Sequence, residues 1–427
     1  MDQYALTNFV LLDGTRDMQP QKGLALLIED GKIQKILSDS AIPGGWRKID
    51  LDGQYLLPGL INLHVHLAGS GKPQKKQTDP VKAVKLVTRN SLTRKVGMTM
   101  VAGFAKELLR SGVTTIRTVG GIEDFDARTR DAINAGKLLG PRILAGNMAI
   151  SVPGGHMAGS LAHVVTTTEE AERCVETIAA TGPDLIKLMV TGGVLDAVKK
   201  GEPGVLKMPP QIIRAACDKA HGLGLPVAAH TESPEGVRAA LENGVDTIEH
   251  GAMPDETILK LFQERKASLV TTISPTLSFA LFDTSVSHAT DLQKYNGKIV
   301  MDGIIDCARQ CLAAQIPVGL GTDTACPYVT QYGTWRELLF FRRYCGVSNR
   351  FALHTATLGN ARIAGIDRET GSVAQGKSAD LIVCRENPLD NLAALRELSM
   401  VIFRGKRIAS PKVKTIPQVD QELDNYL

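Results

Sequence analysis

The sequence predicts an α/β fold: a (β/α)8 TIM barrel with a small β-sandwich domain built from both chain ends. Three observations predict it. Eight short apolar segments alternate with amphipathic helical stretches through the middle of the chain. Polar residues recur where those apolar segments end, and both termini have a different, turn-punctuated texture.

Near the start, TNFVLLDG, GLALLIEDGKIQKI and RKIDLDGQYLLPG are apolar runs that stop at or contain Asp-Gly, the dipeptide that suits two-residue hairpin turns. The stretches GSVAQGKSADLIVCREN and LSMVIFRGKRIA repeat that texture near the end. Residues 1–57 and 367–427 are therefore expected to fold together as the sandwich, with the catalytic barrel, residues 58–366, inserted between them. The expected barrel strands are GLINLHVHL, VTTIRTVGG, PRILAGN, DLIKLMVTGG, LPVAAHT, DTIEHGA, ASLVTTISPT and IPVGLGTD. Segments such as PPQIIRAACDKAHGLG, SPEGVRAALENG and PDETILKLFQERK read as the intervening helices, after an enlarged first connection. A doubly wound open sheet is the competing architecture, but no GxGxxG loop follows the first strand.

Composition narrows the function classes. Hydrophobic residues make up 43% and charged residues 22% of the 427, the profile of a globular protein rather than a disordered one. No run approaches the ~18 apolar residues of a membrane-spanning helix. The opening MDQYALTNFV lacks the basic-then-apolar pattern of a secretory leader, so a cytoplasmic protein is expected. The net charge of +4 is small, and its densest patch, Lys72 to Lys85, reads as a solvated loop rather than a nucleic-acid footprint. Aromatics at 4% offer little base stacking. Seven cysteines without a CxxC pair suggest reduced thiols, and Cys307 and Cys311, one helical turn apart, read as a core helix face.

The chemistry lies at the strand ends, which converge on one mouth of a barrel. His64 and His66 are two residues apart on strand one, so the strand's period of two points both imidazoles to one side. They are candidate ligands of one divalent ion, or two polar residues facing one solvent patch. His230 ends strand five and His250 ends strand six; each alone reads as a hydrogen-bonded core histidine, but together they suggest ligation. Asp323 closes VGLGTD, suited to holding a metal and moving a proton, or to capping the next helix. Lys187 lies inside DLIKLMV, where a bare ammonium carries a heavy desolvation cost. Either a carboxylate such as Asp184 pairs with it, or CO2 adds to the neutral amine to give a carbamate able to bridge two metals.

PGLINLHVH, Lys187, His230, His250 and the GTD ending in Asp323, with NARIAGID and GSVAQGKSADLIV, resemble the amidohydrolase superfamily over essentially the whole chain. DLIKLMVTGGV, SVPGGHM and KAHGLGLPVAAHTES look like its prolidase-like branch, whose members hydrolyse Xaa-Pro and other dipeptides, N-acyl amino acids or amide-linked toxins. The resemblance implies that His64, His66 and Asp323 bind one metal, that His230 and His250 bind a second, and that carboxylated Lys187 bridges both. Asp323 would take a proton from the shared water and pass it to the leaving amine. His156, in SVPGGHMAG, would hold substrate or stabilise the oxyanion. Zinc suits the His-rich ligand set, and manganese also fits. Relatives suggest a homo-oligomer acting on a small molecule, with no nucleic-acid or membrane partner. Mononuclear deaminases of the superfamily carry His-x-x-Glu at strand five; here Ser233 stands at the Glu position, which favours binuclear hydrolysis. A lactonase or esterase, or an imidazolonepropionase-like cyclic amide hydrolase, is the alternative. A non-catalytic scaffold is disfavoured because all six ligand positions are filled. In TDTACPYVTQYGTWREL, Tyr328, Tyr332, Trp335 and Arg336 are candidates to shape the substrate pocket, Tyr328 and Arg336 by direct contact, or to pack helices. His163, His221, His288 and His354 read as structural or surface residues.

Overall fold

The computed structural model describes residues 3–73 and 79–427, so Lys75 and Lys76 of the expected basic loop lie outside the described residues. Both chain ends form sheets. One runs in the order Lys32–Ser38, Leu24–Glu29, Tyr4–Thr7, Arg47–Asp50; the other runs Lys406–Ala409, Leu398–Phe403, Leu381–Cys384, Tyr55–Pro58, Val10–Leu11. Their facing sides share one apolar cluster that includes Leu6, Leu26 and Ile28 against Leu56, Leu381 and Ile402. Asp-Gly chemistry drives the first hairpin: Asp30 (φ 51°) and Gly31 (φ 78°) both sit in the left-handed region, as a tight turn matched to strand twist requires.

Between these ends lie eight parallel barrel strands, at each of the expected segments: β1 (Leu60–Val65), β2 (Val113–Thr118), β3 (Arg142–Leu144), β4 (Ile186–Met189), β5 (Val227–Thr231), β6 (Thr247–His250), β7 (Ser268–Thr271) and β8 (Val318–Leu320). β1 to β3 form one arc and β4 to β8 another. The arcs meet where the Asp323 amide donates to the His64 carbonyl (2.9 Å) and the Asp184 amide donates to the Ala145 carbonyl (2.7 Å). All residues of β1, β2, β4, β5 and β6 are buried, as parallel strands covered on both faces are, so the polar side chains of β2 (VTTIRT) and β6 (TIEH) lie in the interior. The helices pack one face onto them: Pro210–Gly222 buries Ile212, Ile213, Ala216, Cys217 and Ala220. The chain is an α/β protein with the TIM-barrel architecture.

Three features differ from the sequence reading. The first connection holds two helices, Pro80–Thr88 and Ser91–Arg110, so Lys82 and Lys85 of the expected loop are helical. Two three-residue strands, Ala149–Ser151 and Ala162–Val164, extend the larger arc; they are too short to show a period. After Ala409 the chain leaves the sandwich, and helix Pro417–Leu423 packs Val419 and Leu423 into the barrel core. Cys307 and Cys311 are both buried in the helix Asp291–Ala313, as a core face requires, and all seven cysteines are free.

Gly59 joins the sandwich strand Tyr55–Pro58 to β1, and its amide bonds the Asp380 carbonyl at 2.9 Å. A Cβ there would lie 2.2 Å from the Thr114 side chain. Gly59→Ala is expected to destabilise the fold by about 1–3 kcal/mol through overpacking, measured by denaturant unfolding, with metal content unchanged.

Candidate metal centre

Strand ends and tight backbone turns bring the polar side chains together. His64 and His66 leave β1 on one side, and β8 runs beside them because Gly321 has no side chain: a Cβ there would lie 2.3 Å from His64 Cβ. His250 (φ 68°) and Asp323 (φ 57°) are both left-handed, an unfavourable conformation for residues with side chains that clusters at functional sites.

Each imidazole is tethered through one ring nitrogen. His64 Nδ1 lies 2.8 Å from Glu249 Oε2, His66 Nδ1 lies 2.7 Å from the Gly120 carbonyl, and His230 Nε2 lies 3.2 Å from the Gly192 carbonyl. These partners only accept, so they place the proton on the tethered nitrogen and leave the lone pair on the other. His250 Nδ1 pairs with the Thr272 hydroxyl at 2.7 Å. The remaining nitrogens turn inward. His64 Nε2 and His66 Nε2 stand 3.4 and 3.1 Å from Asp323 Oδ1, and ligand atoms of His64, His250 and Asp323 lie within 4.8 Å of one another. The His250 ring centroid is 4.7 Å from those of both His64 and His230. Lone pairs and a carboxylate oxygen facing each other at such distances repel unless a cation lies between them, so this donor set fits a divalent metal.

Lys187 joins the cluster with 1% exposure, and its Nζ has no hydrogen-bond partner among the described residues. Burial pushes its ammonium down to about 8; Glu249 and Asp323 oppose the shift and Arg117 adds to it. Asp184, the pairing partner weighed from sequence, instead accepts from Arg130 (2.8 Å) and the Ala145 amide (2.7 Å). Burial tends to raise the Asp323 carboxyl, yet with charged imidazoles at His64 and His66 it lies well below the usual carboxylate range. With those imidazoles neutral, as their tethers set them, a cation among them would do the same. Burial, with His156 and His250 alongside, keeps His230 well below the usual imidazole range.

Several contributors escaped the sequence reading. Glu249 is fully buried; against the cost of burial, Arg117 and His64 hold it as a carboxylate. Arg117 spans Leu63, Thr247 and Glu249, with its Nη2 2.6 Å from Glu249 Oε1. Both sit in strands with polar neighbours, VTTIRT and TIEH, so neither stands out as Lys187 does among apolar residues. Glu232 accepts the Val194 amide at 3.1 Å, and burial together with Asp323 and Asp196 pushes it up to about 8. Its neighbour Ser233, weighed at the deaminase Glu position, caps the helix Pro234–Glu242 through the Gly236 amide (3.2 Å). His156 stacks flat on His230 (4.3 Å, 8°) and pairs through Nδ1 with Asp196 at 2.5 Å.

Residues 55–408 match the Amidohydrolase family. The chain belongs to that family. This amidohydrolase is 24% identical to an ochratoxinase from Aspergillus niger over 92% of its own length and 84% of the relative's. Among solved structures, a provisionally assigned prolidase from Bifidobacterium longum is 36% identical and superposes with a TM-score of 0.88, covering 100% of this chain and 99% of the other. A Xaa-Pro dipeptidase with methionine bound in its active site is 27% identical, with a TM-score of 0.84 over 96% and 100% of the two chains.

Two substrate-contact expectations are corrected. Tyr328 is buried against Phe282 and its hydroxyl donates to the Val286 carbonyl at 2.9 Å. Arg336 is 1% exposed and lies over Trp335, and its guanidinium is taken by Asp420 and Asp424, both at 2.9 Å. Tyr332 likewise turns to the C-terminal segment, where its hydroxyl accepts the Ile416 amide at 2.6 Å. The C-terminal segment packs onto this face of the amidohydrolase barrel, a tertiary contact that no local pattern announces.

Gly321→Ala is expected to push His64 aside and cut bound metal at least about tenfold, read by elemental analysis of folded protein. Arg336→Ala should cost about 3–5 kcal/mol of stability by stranding buried Asp420, with KM unchanged below the melting range.

Proposed function

We propose that this amidohydrolase is a metal-dependent hydrolase of amide C–N bonds, acting on a dipeptide of Xaa-Pro type or an N-acyl amino acid. One observation carries the reading: four tethered imidazoles, one carboxylate and one buried lysine without a hydrogen-bond partner among the described residues meet at the C-terminal mouth of the barrel. Likeness to a provisionally assigned prolidase and a Xaa-Pro dipeptidase supports the substrate class. His64, His66 and Asp323 would hold one divalent cation and His230 and His250 a second, with Lys187, as its carbamate, between them. Zinc suits this ligand set, and manganese is the alternative. When bound, such cations supply a water acidified to near-neutral pH and a Lewis acid for the carbonyl.

The chain's own groups do the rest. Lys187 must lose its proton before it can attack CO2; the N–C bond forms and the second amine proton leaves, turning a buried cation into an anion. Burial prepares that step by lowering its pKa to about 8. Asp323, held ionised, accepts a proton through Oδ1 or Oδ2 and returns it to the leaving amine. His156, fixed by Asp196, presents its free Nε2 side to the carbonyl oxygen. Free thiols throughout fit a reducing cytoplasm. Among the described residues no helix is long and apolar enough to cross a membrane.

Elemental analysis is expected to find about two divalent metals per chain, and a dipeptide and N-acyl amino acid panel to show metal-dependent turnover. A chain binding well below one metal and inert with zinc or manganese overturns the reading. Lys187→Ala should lose one metal and at least about 100-fold in kcat. For metal-stripped protein at a fixed concentration of dissolved CO2, reactivation by zinc should quicken about tenfold per pH unit up to about pH 8 and level off above it, because only the neutral amine reacts.

A further inference from the structure

The seam between sandwich and barrel holds a cavity of about 630 Å³ that shares no residue with the metal cluster. Arg142, which lines it, opens β3 and is level with Thr115 of β2 and Ile61 of β1. His64 and His66 lie three and five residues further along β1, about 10–17 Å toward the other end of the barrel. The cavity therefore belongs to the N-terminal face, away from the catalytic mouth.

Two hairpin tips build its outer wall, Asp30–Gly31–Lys32 and Arg404–Gly405–Lys406. They touch because both turn residues are glycine: a Cβ on Gly31 would lie 2.9 Å from the Arg404 carbonyl oxygen, and one on Gly405 2.9 Å from Gly31 Cα. This approach gathers cations from separate parts of the chain around one concavity. Two of the nearby acids, Asp380 and Glu369, are already used. Asp380 bonds Arg142 (2.6 Å), Thr370 (3.0 Å), Ser378 (2.8 Å) and the Arg404 amide (2.9 Å), and Glu369 bonds Arg142 (2.7 Å). Lys32, Arg368 and Lys406 form no ion pair among the described residues, and the Arg404 guanidinium meets the neutral Asn134 Oδ1 (2.9 Å) and lies over the Phe403 ring (5.0 Å). Burial, then Arg142, pushes the Arg404 guanidinium below its usual range, although Asp380 and Glu369 oppose the shift. Asp30 is the one lining carboxylate that no cation engages among the described residues. Unmatched cations in a concavity of ligand size attract an anion bearing several charges.

We propose that this cavity binds a small polyanion carrying phosphate or pyrophosphate, held by Lys32, Arg368, Arg404 and Lys406. Such a ligand bridges the sandwich hairpins to Arg368 on the barrel exit and so ties the two units together. The site stands independently of the amide-hydrolase reading.

Isothermal titration of sodium pyrophosphate into metal-loaded protein in about 150 mM KCl tests it, since that salt screens diffuse surface attraction. A saturable 1:1 isotherm with Kd below about 1 mM and a raised Tm are expected. The Arg368→Glu/Lys406→Glu variant changes exposed side chains and should weaken binding at least about tenfold while metal content stays unchanged. A charge-neutral Lys32→Gln/Lys406→Gln variant should weaken it at least about threefold. No saturable binding up to about 10 mM overturns the proposal. Equal affinity in wild type and both variants also overturns it, since the anion then sits elsewhere, the metal centre included.

Discussion

The barrel's centre is organised by a buried charge network that has to be satisfied completely. Arg117 on β2 donates to the Leu63 carbonyl, to Thr247 Oγ1 and to Glu249 Oε1, and Glu249 passes its other oxygen to His64. Thr247 donates to Glu249 as well, at 2.9 Å. Three strands are thereby joined by a cation and an anion that would each be expensive to bury alone. The same network sets the proton on His64 and so aims its lone pair. Core architecture and metal affinity share these atoms.

Around that network the design principle is one tether per ligand. Carbonyls of Gly120 and Gly192, a carboxylate and a threonine hydroxyl each fix one nitrogen of an imidazole, so little ordering remains when a cation binds. Asp323 is held from behind by Cys326, whose Sγ lies 3.5 Å from Oδ2, while Oδ1 faces the imidazoles. Backbone strain at His250 is tolerated because pairing with Thr231 on β5 fixes its backbone, and at Asp323 because its amide is held by the His64 carbonyl (2.9 Å). Lys187 is the exception: it has no tether among the described residues, and that is what makes it chemically distinctive.

The loops at the mouth follow a different logic. The amides of Gly193 and Val194, at the start of the loop after β4, are occupied by Asp196 and Glu232. Asp196 in turn holds His156 flat against His230. The loop after β8 is occupied instead with structural work, since Tyr328, Tyr332 and Arg336 anchor neighbouring segments and the C-terminal helix.

Fold class, strand order and the polar residues at strand ends were legible because they are local: short strand segments alternating with helical ones, a charge interrupting an apolar run, and Asp-Gly at hairpin turns are written in consecutive residues. His64, His66, Lys187, His230, His250 and Asp323 stood out for that reason, whereas Arg117 and Glu249, set among threonines and other polar residues, did not. What only the tertiary structure decided is pairing across long separations. That Arg336 meets Asp420 rather than a ligand, that Asp184 serves Arg130, and that two glycine turns from opposite ends of the chain touch over Arg142 are outcomes of packing. A side chain's chemistry is set by its sequence identity, but its partner is set by which surfaces the fold brings within a few ångströms.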